Sequence, residues 1–420
     1  MAYKNLQTYI GTGHTTGHRK HMSISDRDGG EDTSLMEPIL IRESSKHRNL
    51  LSDLSVDLAT KSAGLVSILP KGILEALAPL VRSMNCYYSN LIEGHNTHPI
   101  DIELAMKGDY SQDKKKRNLQ LEAKAHIEVQ QWIDNGGLNG QELTINGLCE
   151  LHKRFCEFLP EELLYVTGDK SNIRINPGNF RNHDIQVGNH IAISPGSVPR
   201  FLKRFEEAHK NISKIDKIIA SATAHHRLLW IHPFIDGNGR VARLMSYAVL
   251  KNTLNTGGIW SIARGLARNE AIYKGHLAAC DLQRRNDLDG RGNLSEEELA
   301  NFAVFFLKTC IDQVNFMETL MQPNNLHKNI LTWADEEIRS DRLPLKCNIV
   351  LEAILYRGTL SRGEIAKLLN LGERQARRVT SALIECGVII SESTRAPLKI
   401  AFPAALASRW MPGLFPEKIF

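Results

Sequence analysis

HPFIDGNGRVAR, running from His232 to Arg243, sets a histidine, a carboxylate, two glycines, an asparagine and two arginines in one short stretch. The segments on either side decide what it must be. Before it, KIDKIIASATAHHRLLWI puts Ile215, Ile218, Ile219 and Ala222 on one helical face; after it, VARLMSYAVL does the same with Val241, Leu244, Met245 and Ala248. The spacing predicts two buried helices joined by a turn through His232, Pro233 and Phe234, the second helix opening after Gly-Asn-Gly. At such an opening the backbone N–H groups from Gly237 to Arg240 lack intrahelical acceptors, and the helix dipole favours an anion. The glycines allow a phosphate to approach that backbone closely. Arg240 and Arg243, three apart, point to the same side of the first turn, and guanidinium groups grip phosphate oxygens bidentately. Asp236 is an oxygen ligand suited to Mg2+ shared with phosphates. His232, with an ordinary pKa near ~6.5, is mostly neutral at cellular pH and suits a general base. Together these parts suit nucleophilic attack on a nucleotide phosphate. The simpler reading is a buried histidine, a turn and a structurally paired arginine cluster; nine specified residues in order weigh against it.

Outward from the motif, most segments from about Pro70 to Thr319 keep helical periodicity. FRNHDIQVGNHIAISPGSVP interrupts it with alternating Ile185, Val187 and Ile191, a Gly-Asn pair and two prolines, which predicts a small hairpin or flap ahead of the helix RFLKRFEEAHK. Upstream, SNLIEG places Ser89 and Glu93 four apart on one helical face, with Gly94 able to end the helix. Asp287, Asp289, Gly292 and Glu298 fall at calcium-loop positions, but Arg291 stands where an oxygen donor belongs, and Ser295 with Glu298 forms an ordinary capping box. The capped loop is the reading preferred. The C-terminal part runs helix, LSRGEIAKLL, the turn NLGE, the helix RQARRVTSALIECG and an extended stretch, the order of a winged helix-turn-helix.

At 420 residues the chain is too long for one ordinary core. The pattern divides it into a flexible arm over 1–35, a helical region over 36–115, a catalytic core over 116–320, a linker helix over 321–344 and a winged-helix-like unit over 345–420. The arm follows from a stretch rich in Gly, Thr, Ser and charge, whose His14, His18 and His21 read as a solvated tail rather than a metal site. A net charge of +5 is too small for this length to imply nucleic-acid binding by itself. Seven scattered cysteines, none spaced CxxC, disfavour a disulfide framework or a zinc site and fit a reducing cytoplasm. No apolar run of about 18 residues and no signal-peptide pattern is present, so neither export nor a membrane partner is expected.

HPFIDGNGRVAR resembles the signature of the Fic family, HPFx(D/E)GNGRxxR, at every specified position. The resemblance implies a mainly α fold, a helical core carrying a hairpin flap, and transfer of AMP from ATP to a Ser, Thr or Tyr hydroxyl of a target protein, with the chain itself one candidate target. It implies His232 as base, Asp236 as Mg2+ ligand, Asn238 with Gly237 and Gly239 as anion hole, and Arg240 and Arg243 on the ATP phosphates. Val187, with Ile191, becomes the clamp for an extended target backbone, which would pair with the hairpin edge. Tyr273 and Asp281 fall loosely where the family lines its adenine pocket, against plainer roles as a core tyrosine and a solvated aspartate. SNLIEG is similar to the family's inhibitory motif (S/T)xxxE(G/N), which implies that Glu93 withdraws Arg243 from the γ-phosphate, with Ser89 and Gly94 completing the motif. Some relatives use that glutamate to remove AMP.

Two alternatives stand beside this. One is a Fic enzyme that transfers another phosphate-containing group, disfavoured because the anion-hole residues do not depart from the signature. The other is a DNA-binding regulator with a secondary Fic core, for which Arg374, Arg377 and Arg378 on the second C-terminal helix speak and the flanking Glu373 and Glu385 do not. DNA and protein both stay open as partners of that unit. The sequence leaves the oligomeric state open, with a homodimer among the alternatives, and that state could control release of the inhibitory helix.

Overall fold

The computed structural model describes residues 27–167 and 172–416. The described residues are mainly helical, with three small antiparallel two-stranded sheets among them. Helix α1 (Arg48–Ser67) lies against the later core, and α2 (Lys71–Ile92) carries Ser89 on its last turn with Glu93 as its C-cap. After α3 (Pro99–Met106), α4 (Lys114–Asp134) starts on Asp113, whose side chain accepts from Lys116 N–H at 2.8 Å, and α5 (Ile145–Glu157) starts on Thr144 in the same way. Strands β1 (Tyr165–Thr167) and β2 (Asn172–Arg174) pair next, then the two-residue strands β3 (Gln186–Val187) and β4 (His190–Ile191). Helix α6 (Val198–Ala208) leads to the central pair, α7 (Lys214–Ile231) and α8 (Asn238–Leu254).

The central pair is more deeply enclosed than an amphipathic stripe predicts. Ile215 is only partly buried, whereas α7 from Ile218 to Ile231 is buried almost all round, Ser221, Thr223, His225, His226 and Arg227 included. On α8 every residue from Asn238 to Leu250 is buried. Polar residues inside such a helix must find partners, and they do. Tyr273 O–H donates to His225 Nε2 (2.7 Å), His225 Nδ1–H donates to Ser246 Oγ (2.9 Å), and that hydroxyl donates to the Ser221 carbonyl (2.8 Å). Arg227 Nε donates to the Pro38 carbonyl at 2.9 Å. The enclosure comes from α1, the short α9 (Ala263–Arg268), α10 (Glu270–Cys280) and α11 (Glu296–Met321), whose Phe302 and Phe306 pack beside His225.

The loop before α11 is the capped loop expected. Asp289 accepts from Ser295 Oγ and from the Glu297 and Arg285 N–H groups, and Ser295 accepts from Glu298 N–H at 3.1 Å. Among the described residues no cluster of three or more metal-ligating side chains occurs, and no single helix is long and apolar enough to cross a membrane.

The segment expected as an arm is docked at its far end. His14, His18 and His21 lie outside the described residues, but Gly29 N–H donates to Ser194 Oγ (2.7 Å), Glu31 accepts from Ser194 N–H (2.8 Å) and its hydroxyl (2.7 Å), and Asp28 pairs with Arg200 (2.8 Å). Polar residues that composition marks as solvated are here the ligands of the loop preceding α6.

Helix α12 (Pro323–Arg339) leads into α13 (Cys347–Arg357), α14 (Ile365–Leu369) and α15 (Glu373–Glu385), followed by β5 (Ile389–Ile390) pairing with β6 (Lys399–Ile400). A bridge from Leu360 to Leu398 extends this hairpin, and α16 (Ala407–Trp410) closes the chain's described part. This unit packs on α2. A Cβ on Gly72 would meet the Gly358 carbonyl at 2.8 Å, Glu103 accepts from Ala404 N–H at 2.8 Å, and Phe415 meets Tyr87 edge-on at 5.9 Å.

Candidate active site

The turn between α7 and α8 is built by its own residues. His232 ends α7 in the left-handed conformation (φ 52°) while its N–H still donates to the Leu228 carbonyl at 3.0 Å. A non-glycine residue there costs on the order of 1 kcal/mol, and such strain concentrates at functional sites. Asn238 bends back: its Oδ1 accepts from Phe234 N–H (3.0 Å) and its Nδ2 donates to the Phe234 carbonyl (2.8 Å). Its side chain therefore braces the turn, and an anion would meet its backbone N–H. Gly237 precedes α8 at φ 82°, which only glycine adopts freely, and no side chain caps the helix. The first-turn N–H groups of Asn238 and Gly239 thus have no acceptor within α8, an anion cradle at the end of a 17-residue helix.

Two buried side chains that sequence reasoning missed hold the turn. His152 of α5 stacks on Phe234 (centroids 3.9 Å apart, planes 4° apart). Gly178 N–H donates to its Nδ1 (3.0 Å), so Nε2 carries the proton and donates to the Asp236 carbonyl (3.2 Å). Burial pushes its pKa down to about 4, which keeps that arrangement neutral. Arg181 is the second. Its Nε donates to the His232 carbonyl (2.7 Å), Nη1 to the His183 carbonyl (2.8 Å), Nη2 to the Ile193 carbonyl, and its backbone N–H to the Pro233 carbonyl (2.8 Å). One buried guanidinium thereby ties the motif to both ends of the β3–β4 segment. Desolvation lowers even its pKa, to about 10.

Both motif arginines are buried and held by carboxylates. Arg243 donates from Nε to Ser89 Oγ (2.9 Å) and from Nη2 to the Ser89 carbonyl (3.1 Å) and to Glu93 Oε1. Glu93 is 6% exposed and Arg243 3%, so the pair is shielded from water. Gly94 follows at φ 83°, turning the chain away from α2. Arg240 donates from Nη1 to Glu122 Oε1 on α4 and lies 4.8 Å over the Phe155 ring. Neither Glu122 nor its role was apparent from the sequence, because the residue sits in an ordinary amphipathic helix.

The hairpin brings Val187 opposite His190 and Gln186 opposite Ile191, turning through Gly188. Ile191 is 73% exposed at its edge, and His190 Nε2–H donates to the Trp230 carbonyl (2.7 Å), fastening the hairpin to the end of α7. Tyr273 is 1% exposed, its hydroxyl spent on His225 and pushed up to about 12 by burial, so its ring belongs to the core and not to an open pocket wall. Asp281 meets His226 Nε2 at 3.0 Å; burial opposes its charge, but that hydrogen bond holds its carboxyl below the usual range. Tyr273 thus has the place of a core tyrosine, whereas Asp281 is a partly buried partner of His226 and not a solvated aspartate.

A helical domain with an anion cradle between two buried helices and a hairpin fastened beside it is thus defined by this chain. Residues 142–250 match the model of the Fic/DOC family, which places a Fic-type region over the α7–α8 pair and its turn. A protein adenylyltransferase Fic of Drosophila erecta is 37% identical over 111 residues, 26% of this chain and 20% of that protein. Another of Drosophila ananassae is 33% identical over 121 residues, 28% of this chain and 22% of that one. The chain therefore spans about a fifth of the length of the curated relatives it matches. The solved structure of residues 134–508 of Fic-1 from C. elegans superposes with a TM-score of 0.51 at 16% identity, covering 66% of this chain and 74% of that one, a likeness of fold.

Proposed function

We propose that this protein is a Mg2+-dependent protein adenylyltransferase restrained by Glu93. The observation that carries the proposal is the buried clamp of Ser89 and Glu93 on Arg243, on the same helix as the cradle at Asn238 and Gly239 and just over one turn beyond it. A buried carboxylate on a phosphate-binding arginine removes a γ-phosphate ligand, and an ATP held without it presents its α-phosphorus out of line.

In the reaction, the target hydroxyl oxygen attacks the α-phosphorus, a new O–P bond forms, the bond from α-phosphorus to the β-phosphate oxygen breaks, and pyrophosphate leaves. His232 takes the hydroxyl proton. Its Nδ1 lies 3.3 Å from the Leu229 carbonyl, which favours a proton on Nδ1 and leaves Nε2 as the base. Asp236 fits as the carboxylate for Mg2+, an ion that takes one or two carboxylates and completes its shell with phosphate oxygens and water, and that would neutralise phosphate charge here. Arg240 and Arg243 bind the β- and γ-phosphates, and the cradle binds the transferred phosphate. The exposed edge at Ile191 would pair with an extended target segment. With Glu93 buried beside the same arginine, its carboxylate also suits activation of water, so removal of AMP from a modified target is the companion reaction.

Incubation of Glu93→Gly with Mg2+ and ATP labelled on the α- or the γ-phosphate tests the assignment. Protein-bound label from the α-phosphate alone is expected; label from γ alone would make the chemistry phosphoryl transfer instead.

A second reading concerns the C-terminal unit. Arg374, Arg377 and Arg378 are exposed on α15, and Arg377 is drawn toward Glu373 (3.2 Å), which dilutes the cationic face. Duplex DNA binding through α15 would weaken steeply with salt; a salt-insensitive or undetectable interaction would leave a protein-docking module. All seven cysteines are free, which supports a reducing cytoplasmic setting.

A further inference from the structure

Glu93 occupies one motif arginine; the other is held from a different direction. Glu122 pairs with Arg240 through Oε1, and its Oε2 lies 2.8 Å from Nδ1 of His95. Burial would push the Glu122 carboxyl up, but Arg240 and then His95 hold it below the usual range. His95 stands two residues past Glu93, and its backbone N–H donates to the Asn90 carbonyl (2.9 Å) as the chain leaves α2. One carboxylate therefore touches a phosphate-binding arginine and the end of the helix that carries Glu93.

The two carboxylates differ in what supports them. Glu93 caps a helix end that turns away through Gly94, and a helix end is free to fray. Glu122 sits mid-helix on α4, where Ala123, Ala125, Ile127, Val129 and Ile133 are all buried against neighbouring helices. A guanidinium carries its N–H donors in a rigid fork, so an immobile carboxylate on Nη1 sets the direction of the rest.

We propose that Glu122 is a positioning residue with two partners: it aims Arg240 at the nucleotide phosphates, and through His95 it latches the end of α2 so that Glu93 stays on Arg243. The latch rests on reading Glu93 as a brake; the aiming of Arg240 does not.

The sign of one substitution separates aiming from mere charge balance. Removing a negative charge near the phosphates would by itself tighten ATP, whereas losing the aim of Arg240 weakens it. Dissociation constants for Mg-ATP and for AMP, measured by equilibrium dialysis on the full chain, need no transfer chemistry and so stand even where labelling fails. In the Glu93→Gly background, Glu122→Gln should weaken ATP about tenfold, the scale of a charge-assisted contact, and leave AMP unchanged, since AMP lacks the outer phosphates. With Glu93 present, His95→Ala should tighten ATP severalfold; in the Glu93→Gly background it should do nothing. Tighter or unchanged ATP in Glu122→Gln, or equal weakening of AMP, overturns the aiming role. Equal effects of His95→Ala in both backgrounds, or none in either, overturn the latch. Should Glu122→Gln fail to fold, Arg240→Lys, which keeps the charge and loses the fork, must show the same selective loss of ATP over AMP for the aiming role to stand.

Discussion

His232 is committed twice, by its ring as the base and by its backbone at φ 52°. His232→Ala should abolish transfer while ATP affinity stays within about twofold, because a base contributes to proton transfer and not to phosphate binding. His232→Gly should be equally inactive yet more stable than His232→Ala by about 1 kcal/mol, since glycine alone adopts that backbone without penalty; denaturant melts of the two variants check this. Arg181 acts only through the carbonyls it holds. Arg181→Lys keeps the charge and loses the fork, so it should slow transfer at least tenfold with the cradle's nucleotide affinity less affected, measured as kcat against KM for ATP. His232, Asp236, Arg240 and Arg243 were legible in the sequence because their spacing is local. Arg181 was not: its acceptors at His232 and Pro233 lie some fifty positions away, and an arginine in a flap-like stretch gives no sign of that. His152 was hidden for the same reason, its stacking partner being Phe234. The contacts of Tyr273 with His225 and of Asp281 with His226 were equally illegible, because each pair is about fifty positions apart in the chain.

At the scale of elements, periodicity found α7 and α8 and the Gly-Asn turn found the hairpin, because these signals are carried within ten or twenty residues. Burial of α7 was expected from its apolar face, but the partners that let His225, His226 and Arg227 be buried there lie on other elements and carry no local signal. Arg227→Ala should therefore cost several kcal/mol, leaving the Pro38 carbonyl without its buried donor, as a denaturation midpoint would report. The docked segment is the other case. Burial opposes the charge of Glu31, but hydrogen bonds from Ser197 and Ser194 lower its pKa to about 2. A depressed carboxyl contributes stability above its unfolded value near ~4.3 and loses it as pH falls toward its folded one. Glu31→Gln should accordingly raise hydrogen exchange at the Gly29 and Ser194 amides at neutral pH, while leaving exchange in α7 unchanged.

For the whole molecule, charge buried in the interior sets the pH response. Burial holds His126 and His225 at about 3, and His152 and His209 at about 4. Histidines lowered in the fold cost nothing above ~6.5, where both states are neutral; below it the unfolded chain takes up protons that the fold refuses. Stability should fall between pH 7 and pH 5 by about 2 kcal/mol for each such histidine, and a melting temperature constant over that range would refute their neutral burial. The mainly α fold was expected from the pattern of helices, whereas the seating of the C-terminal unit on α2, through Gly358 and Phe415, depends on surfaces that no local pattern reveals. That seating places the C-terminal unit against the helix that carries Glu93.

The most direct test is the initial rate at which α-phosphate label enters protein, compared among wild type, Glu93→Gly and Glu93→Gly with His232→Ala. Restraint by Glu93 of an adenylyl transfer run by His232 predicts a rise of at least about tenfold in the single variant and its loss in the double. Equal rates in wild type and Glu93→Gly, or labelling that survives His232→Ala, would contradict it.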